Sequence, residues 1–415
     1  MKRILFICLA ALFSIYQSFA ATFNVGEYGY DLGVDDEGQY AIWCGHAGRY
    51  STLDIPAEVI YAGRTFPVKM VILGRVDHGI FYLTIPSSVV KITDATPETS
   101  TLLSIHVDEA NPVYTSVNDK CLIEKKTNKL IKACIDVDIP EGISEIGPYA
   151  FYKTMITSIC IPATVKSMGE GAFGYSQLVD IKFEEGSAIT SLPERAFYIS
   201  EHITHIDIPE SVTEIGPSAF EGCHALDNVI IPNGVTRIEN STFYECVSLS
   251  SIKMPSVTEI GSSAFEGCRS MKRVQLYNVQ TIETSAFANC YRLYTVCLPK
   301  TLENINEHAF YNSSSINRIL MEGDVPPSMN GDEIFSKVTQ QVAATLYVPV
   351  GSKTTYKAAS VWGDFANIEE TDTYNGITNV KANTSKTACY DLQGRKFMNE
   401  PNKGIYIKNG KKVVK

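Results

Sequence analysis

The chain has 415 residues, 45% hydrophobic and 20% charged, with 28 Gly and 18 Pro, a composition that excludes collagen-like and strongly disordered chains. Its 36 Lys and Arg against 46 Asp and Glu leave a net charge of -10 with no long basic run. That argues against nucleic acid as a partner, because phosphate binding draws on clustered cations.

Taken in chain order, Lys2 and Arg3 precede an apolar stretch from Ile4 to Phe13, and Ser18-Phe19-Ala20 offers the small residues a signal peptidase needs. Residues 1–20 therefore read as a cleaved secretory signal. The apolar stretch is far short of the ~20 residues that cross a bilayer, and no later run approaches that length. The mature chain is expected to carry no transmembrane span. Residues 21–50, with Phe23, Val25, Tyr28 and Tyr30 in alternation, read as an N-terminal β cap over the repeats that follow. Leu53-Asp54-Ile55-Pro56 and Leu83-Thr84-Ile85-Pro86 are the first, degenerate copies of a strand that ends in proline. A hairpin insertion is expected at about 104–134, turning at Thr127-Asn128-Lys129.

From there the period is plain. A phenylalanine preceded by Ala or Thr recurs at Phe151, Phe173, Phe197, Phe220, Phe243, Phe265, Phe287 and Phe310, at intervals of 22 to 24 residues. Ahead of most of them stands a second anchor, as in Ile139-Pro140, Ile161-Pro162, Ile208-Pro209 and Ile231-Pro232. The alternating residues before the proline make a strand buried on one face, and proline stops it because it cannot donate to a ladder. The following glycine, Gly216 in the copy from Ile206 to Cys223, is expected to serve a tight corner. The Phe rings are expected to stack as a spine, since one coil of this size cannot bury enough apolar surface to hold itself and needs its neighbours.

Downstream, residues 328–370 read as a C-terminal cap: a last strand at Leu346-Tyr347-Val348-Pro349, then a short helix running to Trp362-Gly363. Residues 371–376 are a polar linker. Residues 377–415 form a small β tail, with Asn409-Gly410 as a hairpin turn.

The eight Phe-centred units, with Glu145-Ile146-Gly147, Glu214-Ile215-Gly216 and Glu259-Ile260-Gly261 ahead of the aromatic, resemble the BspA-type leucine-rich repeat of bacterial surface and secreted proteins. The resemblance implies a right-handed repeat solenoid with a parallel β-sheet wall over residues 51–327, and adhesion as the activity. Leu192-Pro193 and Leu276-Tyr277 depart from the pattern. The tail resembles the C-terminal sorting or anchoring modules of proteins secreted by some Gram-negative anaerobes, in a short form.

Several residue groups invite a chemical reading. Cys223, Cys246, Cys268 and Cys290 each lie three residues after a repeat Phe and would form a column, as metal ligands, disulfides or buried free thiols. Thr154, Ser176, Ser200 and Ser313 hold the same position elsewhere, so the position selects a small, weakly polar residue and favours free structural thiols. His202, His205 and Asp207 lack a fourth ligand for zinc, and a solvated strand face is the ordinary reading. There is no Gly-rich phosphate loop, G-x-S-x-G elbow or H-E-x-x-H motif, so no catalytic residue and no cofactor is assigned.

What remains is the wall. Strand alternation turns Ser158, Asp180, His205, Asn228, Ser251, Arg273 and Thr295 outward in one column, and Asp138, Cys160, Lys182, Asp207, Ile230, Lys253, Gln275 and Cys297 in a second. Asp180, Lys182, His205, Asp207, Asn228, Lys253, Arg273 and Gln275 are the expected ligand-binding residues, for an extracellular protein or glycan. Tyr152, Tyr198, Tyr244 and Tyr311, each next to a repeat Phe, are expected to be exposed on alternate coils. The rival reading is a cell-envelope scaffold with no soluble ligand.

Overall fold

The computed structural model describes residues 23–26, 28–46, 51–73, 80–93, 102–331, 333–335, 344–372, 389–390, 405–408 and 411–414; the leader and the Asn409-Gly410 turn lie outside these. The chain divides into two units, Met1–Glu370 and Thr371–Lys415. In the second, Cys389–Tyr390, Ile405–Lys408 and Lys411–Val414 form an antiparallel three-stranded sheet. Among the described residues no helix is long and apolar enough to cross a membrane.

The first unit opens with Phe23–Val25, Tyr28–Asp35 and Gly38–His46, three antiparallel strands that bury Phe23, Tyr30 and Trp43. Gly38–His46 then pairs in parallel with Arg64–Val71. Wall pairing starts with Thr52–Asp54, Tyr82–Ile85 and Ser104–Val107, parallel and in register. The segment after them is a meander of three strands, Tyr114–Val117, Cys121–Glu124 and Lys129–Ala133, where a two-stranded hairpin was the expectation. The third strand leaves the antiparallel pair to line up with Glu145–Ile146 and Ser167–Met168, so it joins the meander to the repeats.

Each repeat then lays down three parallel rows. The wall row runs through Ser158–Ile161, Asp180–Phe183, His205–Ile206, Asn228–Ile230 and Ser251–Lys253, and resumes with Arg273–Gln275, Thr295–Leu298, Arg318–Met321 and Thr345–Pro349. Proline closes most of these strands and opens a turn: the carbonyls of Pro162 and Pro209 accept from the amides of Val165 and Val212, each at 3.0 Å. The second row contains the short Ile-Gly strands, for example Glu259–Ile260 between Arg237–Ile238 and Thr281–Ile282. The third is the Phe turn, where the Phe amide donates to the alanine carbonyl of the next coil, as in Phe151 to Ala172, Phe197 to Ala219 and Phe265 to Ala286, all at 2.8 Å.

That bond sets the rings one coil apart. From Phe151 to Phe310 the centroids step by 5.0 to 5.6 Å with interplanar angles of 1 to 16°. The spine has a further rung that the dyad pattern does not show: Phe335 stacks on Phe310 at 5.1 Å, preceded by Ile334 in place of alanine. Trp362 and Phe365 close the stack edge-on against Phe335. The expected single helix is correspondingly two pieces, Lys353–Ala358 and a 3-10 turn at Trp362–Asp364. The chain breaks at Ala359 and Val361, and the Trp362 ring, its Nε1 donating to the Pro327 carbonyl at 3.0 Å, docks across the last rung. The strand Asn367–Thr371 follows, so Leu346-Tyr347-Val348-Pro349 is not the last.

The turns carry left-handed backbone at two places per coil, two residues before and two after the Phe. Ser218, Ser241, Ser263 and Ser285 hold the first; Glu245, Gly267, Asn289 and Asn312 hold the second. Gly267 (φ 76°) is the residue suited to that conformation. Gly267→Ala is expected to lower stability by about 1 to 2 kcal/mol, and Gly267→Asn by less than half of that, read by urea denaturation; an equal loss in both would show that conformation is not the cause. Gly216, expected at a corner, is not left-handed. It is required by close approach, since a Cβ there would stand 2.6 Å from the Glu194 amide nitrogen of the preceding coil.

Candidate ligand-binding wall

The inward residues of the wall strands, among them Ile159, Ile181, Ile206, Val229, Val274 and Val296, are buried, and the residues between them face solvent. Asp180, Lys182, His205, Asp207, Asn228, Lys253 and Arg273 are all exposed and Gln275 is half-buried. Parallel register sets Asp180 beside His205 and His205 beside Asn228. Ile230 likewise stands beside Lys253, and Arg273 beside Thr295. The expected site residues thus share one face, but they fall into two groups.

In the first group the side chains pair with one another locally. Lys182 Nζ lies 3.0 Å from Asp180, and His205 Nε2 lies 2.8 Å from Asp207. Asp138, Ser158, Cys160, Asp180, Lys182 and Glu184 line a cavity of about 730 Å³ at this end. His202 is exposed and joins no ligand set with this pair; among the described residues no three His, Cys, Asp or Glu side chains are placed to hold a metal. In the second group Arg273 donates to Gln275 Oε1 at 3.2 Å and to Cys297 Sγ at 3.3 Å. Cys297, expected outward, is buried: it sits between Gln275 and Leu320 in the register with the Arg273 guanidinium over it. Burial raises its thiol pKa, against the lowering effect of Arg273.

The cysteine column is fully buried. Each thiol donates to the carbonyl of the preceding repeat's Phe, Cys223 to Phe197, Cys246 to Phe220, Cys268 to Phe243 and Cys290 to Phe265, at 3.1 to 3.3 Å. Ser200 and Ser313 make the same bond at 2.7 Å. All four cysteines are free. Desolvation pushes the thiols up, Cys290 to about 12, so they stay protonated at neutral pH and serve as hydrogen-bond donors within the stack.

These coils, with their prolines, Phe spine and donor column, have counterparts in a known repeat. The family model of the BspA type leucine-rich repeat region matches in 6 copies, at residues 79–201, 122–227 and 213–338. The chain belongs to the BspA-type leucine-rich repeat family. Among solved structures it is similar to a leucine-rich cell surface protein of Faecalibacterium prausnitzii (21% identity over 74% of this chain and 96% of that one, TM-score 0.40). It is also similar to a leucine-rich repeat protein of Bacteroides ovatus (18%, 84% and 99%, 0.45) and to the pneumococcal vaccine antigen PcpA (15%, 86% and 100%, 0.46). No curated protein matches the chain.

Two features of this BspA-type chain escaped the repeat pattern. Tyr152, expected outside, is buried. Its ring meets Tyr149 at 5.6 Å and Tyr175 at 5.3 Å, and Tyr175 meets Tyr198 at 5.5 Å, a ladder on three successive coils. Tyr175 is the missed member, lying two residues after its Phe rather than one, and Gly174 leaves the space that the Tyr152 ring enters. Tyr198 and Tyr244 are half-buried and Tyr311 exposed. The second feature is Lys132, which is 1% exposed with Nζ donating to the Tyr149 carbonyl at 3.2 Å. Desolvation drives its pKa from 10.5 down to about 7.

Proposed function

We propose that this chain is an exported, non-enzymatic binding protein that holds an extracellular protein or glycan on the outward face of its sheet wall. The observation that carries this reading is the contrast between the two faces of each wall strand. The inward side chains are apolar and almost all buried, while the outward ones differ in chemistry from coil to coil and, Cys297 and Leu320 apart, remain exposed or half-buried. Membership of a repeat family whose members commonly act at surfaces or as binders supports it, and so does the leader read from residues 1–20. Stacked repeats present a long, continuous surface, which suits an extended macromolecule.

The test is exposure of the purified chain to extracellular-matrix proteins and glycan arrays. The expected result is a binder whose retention falls at least tenfold in Lys182→Glu/Lys253→Glu/Arg273→Glu, with the melting temperature unchanged. Silence on every surface, or retention indifferent to those changes, favours the scaffold reading.

A further inference from the structure

The wall is electrically polarised along the row of coils. Four segments that each run through a wall strand and the turns beside it, 247–258, 269–282, 290–302 and 311–321, contain no Asp or Glu, although the chain as a whole carries a net charge of -10. They do contain Lys253, Arg269, Lys272, Arg273, Arg292, Lys300 and Arg318, all exposed. Arg269 pairs with Glu245 of the preceding coil, but among the described residues the other six are in no ion pair, whereas Lys182, Arg195 and Arg237 in the earlier coils each have a carboxylate within reach. We infer that this half of the wall is a docking face for an anionic polysaccharide carrying uronate or sulfate groups along its length. The inference rests on the binding-protein reading and names the chemistry of the partner.

Three observations lead to that partner. First, unpaired like charges on neighbouring coils repel one another, and a surface selected only for solubility intersperses the two signs, as the earlier coils do. Second, the cations recur along the axis in register. Arg273, Thr295 and Arg318 are aligned in one column, so the backbones of the two arginines are about 10 Å apart at ~4.8 Å per strand. Beside it runs a column of one cation and two neutral polar residues, where the amide of Tyr294 donates to the Lys272 carbonyl and that of Asn317 to the Tyr294 carbonyl. Such a row matches a linear polymer with charges at intervals. Third, between Ile230 and Val325 the exposed large apolar side chains are all tyrosines: Tyr277, Tyr291, Tyr294 and Tyr311. Tyrosine offers a ring face to the C–H side of a pyranose and a hydroxyl to its oxygens, which beside unpaired cations suits an anionic sugar chain.

The experiment titrates the full chain with heparin fragments, neutral dextran of equal length and a single-stranded oligonucleotide. Heparin is expected to bind, dextran not, and the oligonucleotide at least tenfold more weakly. In Lys272→Glu/Arg292→Glu, whose side chains have no polar partner among the described residues, heparin affinity is expected to fall at least tenfold with an unchanged melting temperature. Lys166→Glu, at an exposed lysine of the earlier coils that belongs to neither set of wall residues, is expected to change it less than twofold. Absence of heparin binding, equal affinity for the oligonucleotide, or indifference to the double charge reversal overturns the inference. Should heparin fail while a protein or neutral glycan on the arrays still depends on Lys182, Lys253 and Arg273, the binding-protein reading stands and this one falls.

Discussion

Phe243→Ala is expected to destabilise the chain by about 3 to 5 kcal/mol, the cost of emptying a large buried aromatic site. Phe243 is fully buried and stacks between Phe220 at 5.3 Å and Phe265 at 5.4 Å, nearly parallel to both. Each such contact adds about 0.5 to 1.5 kcal/mol beyond area burial. In a stack of coils stability is carried by nearest-neighbour interfaces, so a hole in the middle also weakens the coupling between the two halves. Urea denaturation should therefore show a lower midpoint and a broader or two-step transition, whereas Phe243→Leu should keep one transition and lose roughly half as much. A loss under about 1 kcal/mol would mean that the spine does not hold the coils together.

Lys132→Met is expected to act in the opposite direction, and only below a certain pH. The folded chain holds this amine at about 7 because burial penalises its charged form, while the unfolded chain returns it to 10.5. Between those values the unfolded state carries the extra proton, so stability rises with pH through the window. The deficit is complete below about 7 and absent above about 10.5. A shift of that size corresponds to on the order of 4 kcal/mol. Methionine keeps the unbranched stem and removes the charge, at a cost of about 1 kcal/mol for the bond lost at the Tyr149 carbonyl, which keeps the Tyr152 amide as a donor. The net gain at pH 6 is expected to be roughly 2 to 3 kcal/mol, vanishing toward pH 10.5. Melting curves of both proteins across that range check it, and a gain independent of pH would place the effect in packing rather than charge.

The outward face of the wall was legible in part. Strand alternation separates outward from inward residues, and it selects Lys253 and Arg273 correctly as exposed. It passes over Lys272, Arg292 and Arg318, because the two columns it follows mix residue types when each is read alone. The available signal was a different one, the absence of Asp and Glu from four successive wall segments in an acidic chain. Cys297 was misplaced for a related reason: alternation fixes the direction of a side chain, but the guanidinium that covers it comes from Arg273, a full coil away.

What the sequence determined by itself is everything that recurs within one coil. The period, the proline that ends each wall strand, the Phe rungs and the small donor beside them are local patterns repeated until neighbours must match. Tertiary structure alone decided what depends on the adjoining coil or on chain outside the repeat. It seated Phe335 as a ninth rung without an alanine before it, and buried Tyr152 over Gly174. It also made Gly216 obligatory through the Glu194 backbone, and drew Lys132 out of water against Tyr149. Periodicity records which way a side chain points, whereas burial depends on what stands opposite, and that partner lies some 20 residues away or beyond the array altogether.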